Sequence, residues 1–267
     1  MTNKLTRFAR WYLTKQINAI SYIGLRKHFL KVNDFEKYFL NRNGLEIGGP
    51  SQVFTDKGIF PIYRLLNNLD GCNFTNETVW EGSISEGVYD FYPGKTGRQF
   101  ICEGSSLVFA GNEQYDFLLS SHSLEHHANV IRTLHEWKRV VRPGGILLII
   151  VPEKKFTFDH KRDYTPFDHF VLDEKDNVGE DDLTHLQEIL QLHDLTRDRG
   201  VGDRQSFERR SRENYLNRCL HQHVFNFGNL SGVANYLQLE ILATKFVRPY
   251  HNVIFMRKGE SLFFTSH

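Results

Sequence analysis

The chain has 267 residues, 40% of them hydrophobic and 13% aromatic, which is enough for one large α/β domain with additions. Its net charge of +1 gives no electrostatic bias toward DNA or RNA, so no nucleic-acid partner is expected. No apolar run reaches the roughly 18 residues needed to span a bilayer, and the N-terminus lacks the apolar core of a signal peptide. Cys72, Cys102 and Cys219 show no paired or metal-binding spacing and are expected to be free thiols in a reducing, cytoplasmic setting.

Residues 1–33 contain seven basic residues, no acid and many interleaved aromatics. A basic, aromatic helix can lie on an anionic membrane surface. The preferred expectation is a helical extension, residues 1–40, packed on the main domain. Gly44-Leu45-Glu46-Ile47-Gly48-Gly49-Pro50-Ser51 then reads as a short apolar strand ending in paired glycines, which let the backbone turn tightly and approach a ligand. Asp70–Phe74 and Gln99–Cys102 are expected as two further strands, and Gly82–Gly97 as loop.

The stretch Tyr115–Pro152 carries the clearest pattern. Phe117-Leu118-Leu119 forms a strand, and Leu124, Val130, Ile131, Leu134, Trp137, Val140 and Val141 recur at helical spacing. Pro143-Gly144-Gly145 should stop that helix. The unbroken run Ile146–Val151 has the character of a strand buried on both faces. Strand, crossover helix and parallel strand make a βαβ unit, whose ligands sit beyond the C-terminal strand ends, near His122, Glu125 and His126.

With LEIGGPS, Glu103 followed by Leu107, YDFLLSSHSLEH and EWKRVVRPGGILLIIVP in place, the chain resembles the class I S-adenosylmethionine-dependent methyltransferases of small-molecule or glycan type. HVFNFGNLSGVANYLQLEIL resembles that family's final helix and strand. The resemblance implies a Rossmann-like, seven-stranded, mostly parallel α/β sheet with helices on both faces, and S-adenosyl-L-methionine as cofactor. It implies that Glu46, Gly48 and Gly49 hold the amino-acid part of the cofactor. Glu103 would take the adenine amino group, flanked by Gly104 and Ser105, and Ser121 and His122 would line the methyl-donor pocket. Two positions depart from the family pattern. Pro50-Ser51 stands where a third glycine is usual, and Asn73 stands where an acid usually grips the ribose, Glu77 or Glu81 serving only with a shifted register.

Residues 41–267 are expected as one methyltransferase domain, with 153–223 an insertion after the fifth strand that builds the acceptor side. Within it, 180–195 reads as an amphipathic helix and 194–215 as a mobile loop or lid, while His221 and His223 alternate as on a strand. Histidine suits proton removal from a hydroxyl acceptor because its pKa lies near neutrality. His126 or His160 is therefore expected as general base, with Arg162 and Asp163 positioning the acceptor. His160, Asp163, Asp168, His169 and Asp173 are ligand types for a divalent ion, but their spacing matches no metal motif, and no metal is expected. The expected reaction is O-methylation of a small polar or glycan acceptor. A catalytically degenerate, ligand-binding fold is the alternative, on the strength of the altered glycine loop and Asn73.

Overall fold

A computed structural model of the chain describes residues 35–78, 82–198 and 201–260. The expected N-terminal helix and its membrane contact fall on residues outside these, apart from Phe35–Tyr38, which form a 3-10 turn. Seven strands build the central sheet: β1 (Asn43–Ile47), β2 (Asn68–Asn73), β3 (Gln99–Ile101), β4 (Tyr115–Ser121), β5 (Val141–Pro152), β6 (Leu239–Val247) and β7 (His251–Lys258). Their order is β6-β7-β5-β4-β1-β2-β3. β1 to β5 run parallel, and β7 is antiparallel to both β5 and β6. After β3 the chain crosses back to lay β4 on the other side of β1. That reversal opens a crevice between the carboxyl ends of β1 and β4, the place where such sheets bind ligands.

The strands are buried on both faces, as Ile146–Val151 shows, every residue being at most 1% exposed. Alternation splits them into two cores. Leu147, Ile149 and Val151 face a helical layer of α1 (Val130–Val140), α2 (Phe167–Lys175) and α6 (Phe227–Tyr236). Trp137 on α1 is fully buried there, and its indole N–H donates to the Gly104 carbonyl at 2.8 Å, fastening the helix to the loop after β3. α1 begins later than its apolar spacing predicts. Asn129 caps it by accepting from the Arg132 amide, so Leu124–His126 is left as a separate 3-10 turn.

The second face differs from the expected helical layer. Among the described residues it carries no α-helix; 3-10 turns at Gln52–Phe54 and Tyr63–Leu65 and a hairpin of Tyr89–Tyr92 with Lys95–Gly97 cover it instead. The link from β1 to β2 contains Gly48, Gly49, Pro50, Gly58 and Pro61, which a helix does not tolerate. Aromatic rings fill the space, Phe39 packing against Phe60, Phe117 and Phe255 with centroids 5.1 to 6.0 Å apart. The hairpin lies within the stretch expected as loop. Tyr89 and Phe91 point inward while Asp90 is exposed, a strand alternation, and Gly94 turns the chain at φ +77°.

In the insertion, α2 packs in the main helical layer through Phe170, and the Asn129 side chain donates to the Asp173 carbonyl at 2.8 Å. α3 (Leu186–Leu192), α4 (Arg204–Arg212) and α5 (Asn214–Asn217) follow. Leu186, Ile189, Leu190, Val201, Phe207 and Leu220 form their own small core. The segment expected as a mobile lid therefore contains an ordered helix, capped by Asp203 accepting from the Ser206 amide. His221 and His223 lie on an extended segment without strand pairing. Among the described residues, no helix is long and apolar enough to cross a membrane.

Replacing Trp137 with alanine should lower stability by about 3–5 kcal/mol, since a fully buried indole and its hydrogen bond both go. Urea denaturation measures this, and a loss under about 1 kcal/mol would contradict the packing described.

Candidate active site

A cavity of about 480 Å³ lies at the carboxyl ends of β1, β2, β4 and β5. Gly48 forms part of its floor with φ +77°, and its amide donates to the Cys72 carbonyl at 2.9 Å. Glu46 and Gly49 do not line the cavity. The Glu46 carboxylate is fully buried behind the loop, where it accepts from the Tyr63 hydroxyl (2.6 Å), the Tyr89 hydroxyl (2.7 Å) and the Ser51 amide (3.1 Å). Burial, reinforced by Glu46, pushes the Tyr63 phenol well above its ordinary pKa, so it remains a donor. A Cβ on Gly49 would fall 2.3 Å from the Glu46 carboxyl carbon and 2.3 Å from the Tyr89 hydroxyl. Glycine is required there by protein packing.

Asn73 lines the cavity at the end of β2, but its amide nitrogen donates to the Gly49 carbonyl at 3.0 Å, tying the strand end to the glycine loop. Glu77 is exposed on a two-residue strand, and Glu81 lies outside the described residues. Glu103 and Gly104 follow β3 and line the cavity, whereas Ser105 is buried outside it. Arg218 reaches in from the insertion, donating to Glu103 Oε1 (2.6 Å) and Glu180 Oε2 (3.0 Å), its guanidinium over Phe74 and Tyr215. Burial raises the Glu103 pKa despite Arg218. Burial also acts to raise Glu180, but His127 and Arg218 outweigh it and hold that carboxyl low.

Beyond β4, Ser121, His122, Glu125 and His126 line the opening. His122 has φ +53°, and its Nε2 lies 2.8 Å from His251 Nδ1, with Nδ1 3.5 Å from Glu125 Oε1. Glu125 is buried; burial opposes its ionisation, yet His122, His126 and His221 around it keep the carboxyl below its ordinary range. The His126 Nδ1 bonds the Leu220 carbonyl at 2.9 Å, so that atom carries the proton, and burial with His221 nearby lowers its pKa to about 4. His221 packs edge-on against His126, ring centroids 4.8 Å apart. Its Nδ1 is 2.5 Å from Asp159 Oδ2, and Asp159 is braced in turn by Arg162 at 3.2 Å. Burial would lower the His221 pKa, but Asp159 prevails and raises it.

The other expected acceptor-side residues are not brought to this cavity. His160 Nε2 pairs with Asp194 at 2.8 Å away from the lining, and Asp163 is exposed. Arg162 is 1% exposed and spends its guanidinium on Asp159 and the carbonyls of His221 (2.7 Å) and Gln222 (3.2 Å). It supports the chain carrying His221 and has no surface left for an acceptor. Sequence reasoning missed Asp159, Glu180, Arg218 and the role of His221. Only His221 carried a local signal, its alternation with His223.

Residues 78–149 match the methyltransferase domain family. The match runs from just after β2 into β5, within a seven-stranded, mostly parallel sheet of the kind the resemblance implies. Over this stretch the chain is similar to methyltransferase domains. Among solved structures it is similar to a SAM-dependent methyltransferase from Aquifex aeolicus, at 12% identity over 86% of this chain and 88% of that one, TM-score 0.45. It is similar to the 1,6-didemethyltoxoflavin-N1-methyltransferase of Burkholderia thailandensis, at 13% identity over 96% and 84%, TM-score 0.46. It is also similar to a methyltransferase from Mesorhizobium loti, at 11% identity over 83% and 93%, TM-score 0.44. No curated protein matches the chain in sequence.

The residues present fit S-adenosyl-L-methionine. The cavity has the volume of a cofactor site, and two buried oxygens on its wall, Ser121 Oγ and Glu125 Oε2, have no hydrogen-bond partner. The Glu125 carboxylate supplies negative charge beside a cofactor that carries a sulfonium and an ammonium. When bound, the cofactor supplies an electrophilic methyl group.

Substitutions in the glycine pair should separate two roles. Gly49→Ala should cost about 1–3 kcal/mol of stability by crowding Glu46 and Tyr89. Gly48→Val should weaken S-adenosylhomocysteine binding at least about tenfold, since a branched side chain strains the positive φ and fills the cavity floor. Thermal melts and calorimetry distinguish them; a Gly48→Val protein binding normally would remove the loop from the cofactor site.

Proposed function

We propose that the protein methylates a hydroxyl oxygen of a small polar acceptor, sugars included, with His221 as general base. The reading rests above all on one observation: His221 lines the cavity while Asp159 grips its Nδ1 at 2.5 Å. A carboxylate at Nδ1 keeps that proton in place and turns Nε2 toward the reacting side, the arrangement by which a histidine accepts a proton from a hydroxyl. Residues 41–260 act as one domain, and the insertion 153–223 forms the acceptor wall through Phe156, Phe158, Arg197 and His221.

In this reading the Gly48 loop holds the amino-acid end of the cofactor, and Glu103 meets the adenine amino group through the oxygen that Arg218 does not take. Asn73 contributes to ribose contacts only by shaping the loop. Ser121 and His122 border the methyl-donor position, with His251 and Glu125 holding the His122 ring. His126 stands beside the base and, being neutral, avoids repelling the charge that His221 acquires. The three free cysteines fit a reducing compartment, the cytoplasm.

The pH dependence tests the base. The His221 pKa is raised above 6.5, so the neutral, proton-accepting form is lost as pH falls through a value above 6.5. Turnover should therefore decline on the acid side near neutrality. A base at His126, with its pKa near 4, would keep turnover level down to about pH 4. His221→Gln should lower kcat about a hundredfold to ten-thousandfold, with cofactor affinity little changed. A variant retaining wild-type kcat and its pH profile would exclude His221 as the base.

A further inference from the structure

A second group of histidines lies outside the cavity. His169 and Asp173 sit one turn apart on α2, His185 precedes α3, and His223 lies on the return toward the sheet. One ring nitrogen from each of the three histidines falls within 4.8 Å of the other two. His169 Nε2 and His185 Nε2 are 3.0 Å apart, close to the roughly 3.3 Å between two nitrogens that each lie about 2.0 Å from a tetrahedral zinc. Asp173 Oδ2 stands 3.5 Å from His169 Nε2 and 3.7 Å from His223 Nε2.

Two atoms in this group make no hydrogen bond. Asp173 Oδ2 and His223 Nδ1 are buried with no hydrogen bond, and His223 is 2% exposed. Orphaned polar atoms at such depth are costly unless something pairs with them. The surroundings also have the form of an outer coordination shell. His223 Nε2 donates to the Ala128 carbonyl at 3.0 Å, and His185 Nδ1 lies 3.7 Å from Glu188 Oε2. Metal-bound imidazoles are oriented in this way by a carbonyl or carboxylate on the other nitrogen.

We propose that His169, His185 and His223 bind a zinc ion, with Asp173 completing the coordination. Three nitrogens and one oxygen suit zinc in a tetrahedral, closed site, which is structural in character. The ion would pin α2 and the start of α3 to residue 223, two positions beyond His221. None of the four ligands lines the cavity, so this inference does not depend on the methyl-transfer reading. The group Glu125, His126 and His221 also approaches metal geometry, but His221 is committed to Asp159 and His126 to the Leu220 carbonyl.

The full-length protein, stripped with a chelator, would be titrated with zinc by calorimetry and with cobalt by visible spectroscopy. One equivalent of zinc is expected, with the intense visible bands of tetrahedral cobalt, and zinc should raise the thermal midpoint. His185→Ala and His223→Gln should each abolish stoichiometric binding. Should His223→Gln fail to fold, His185→Ala, on a partly exposed side chain, decides alone. Asp173→Asn should weaken binding at least tenfold. The His126→Gln/His221→Gln double variant should still take up one equivalent. Absence of stoichiometric zinc in the wild type, retention in His185→Ala, or loss in the double variant would each overturn the assignment.

Discussion

The cofactor side of this molecule depends on one buried carboxylate. Glu46 leaves β1 fully enclosed, where an unpaired charge would cost several kcal/mol. Two tyrosine hydroxyls and the Ser51 amide meet it instead. Tyr63 comes from the link between β1 and β2, and Tyr89 from the hairpin between β2 and β3. The same three contacts thus fasten both of the irregular connections that replace helices on that face. They also define the space behind Gly49, while Asn73 draws the end of β2 to the same loop. The glycine pair is held in shape by polar contacts from three separate segments.

A second set of charges joins residues 153–223 to the sheet. Arg218 spans Glu103 after β3 and Glu180 in the insertion, and Glu180 in turn meets the Ala128 amide and His127. On the opposite wall, Arg162 fixes Asp159 and the carbonyls around His221. Each arginine is buried and has several acceptors, so neither acts as an isolated surface pair of small energetic worth.

Histidine is used in three ways here. Asp159 favours the charged form of His221, whereas burial favours the neutral form of His126. His169, His185 and His223 gather away from the cavity, where one ring nitrogen from each lies within 4.8 Å of the others. Residue type was common to all; environment separated the roles.

Much of the fold was legible in the sequence because it follows from local periodicity. The aliphatic run Ile146–Val151, the helical spacing from Val130 to Val140 and the paired glycines after Ile47 each report on neighbouring residues alone, and they determined a βαβ sheet and the edge at which it binds ligands. The hairpin within Gly82–Gly97 was hidden because glycine and acids broke an alternation only four residues long. What tertiary structure decided was which distant side chains meet. Asp159 selects His221 across 62 positions, Arg218 selects Glu103 across 115, and His160 is turned away to Asp194. Chain folding brings His169 beside His185 and His223, although no spacing announces it. A pattern of two or 3.6 residues is imposed by backbone geometry and is written in the chain. Partner choice depends on burial and on the cost of an unpaired charge, which exist only once the chain has closed around them.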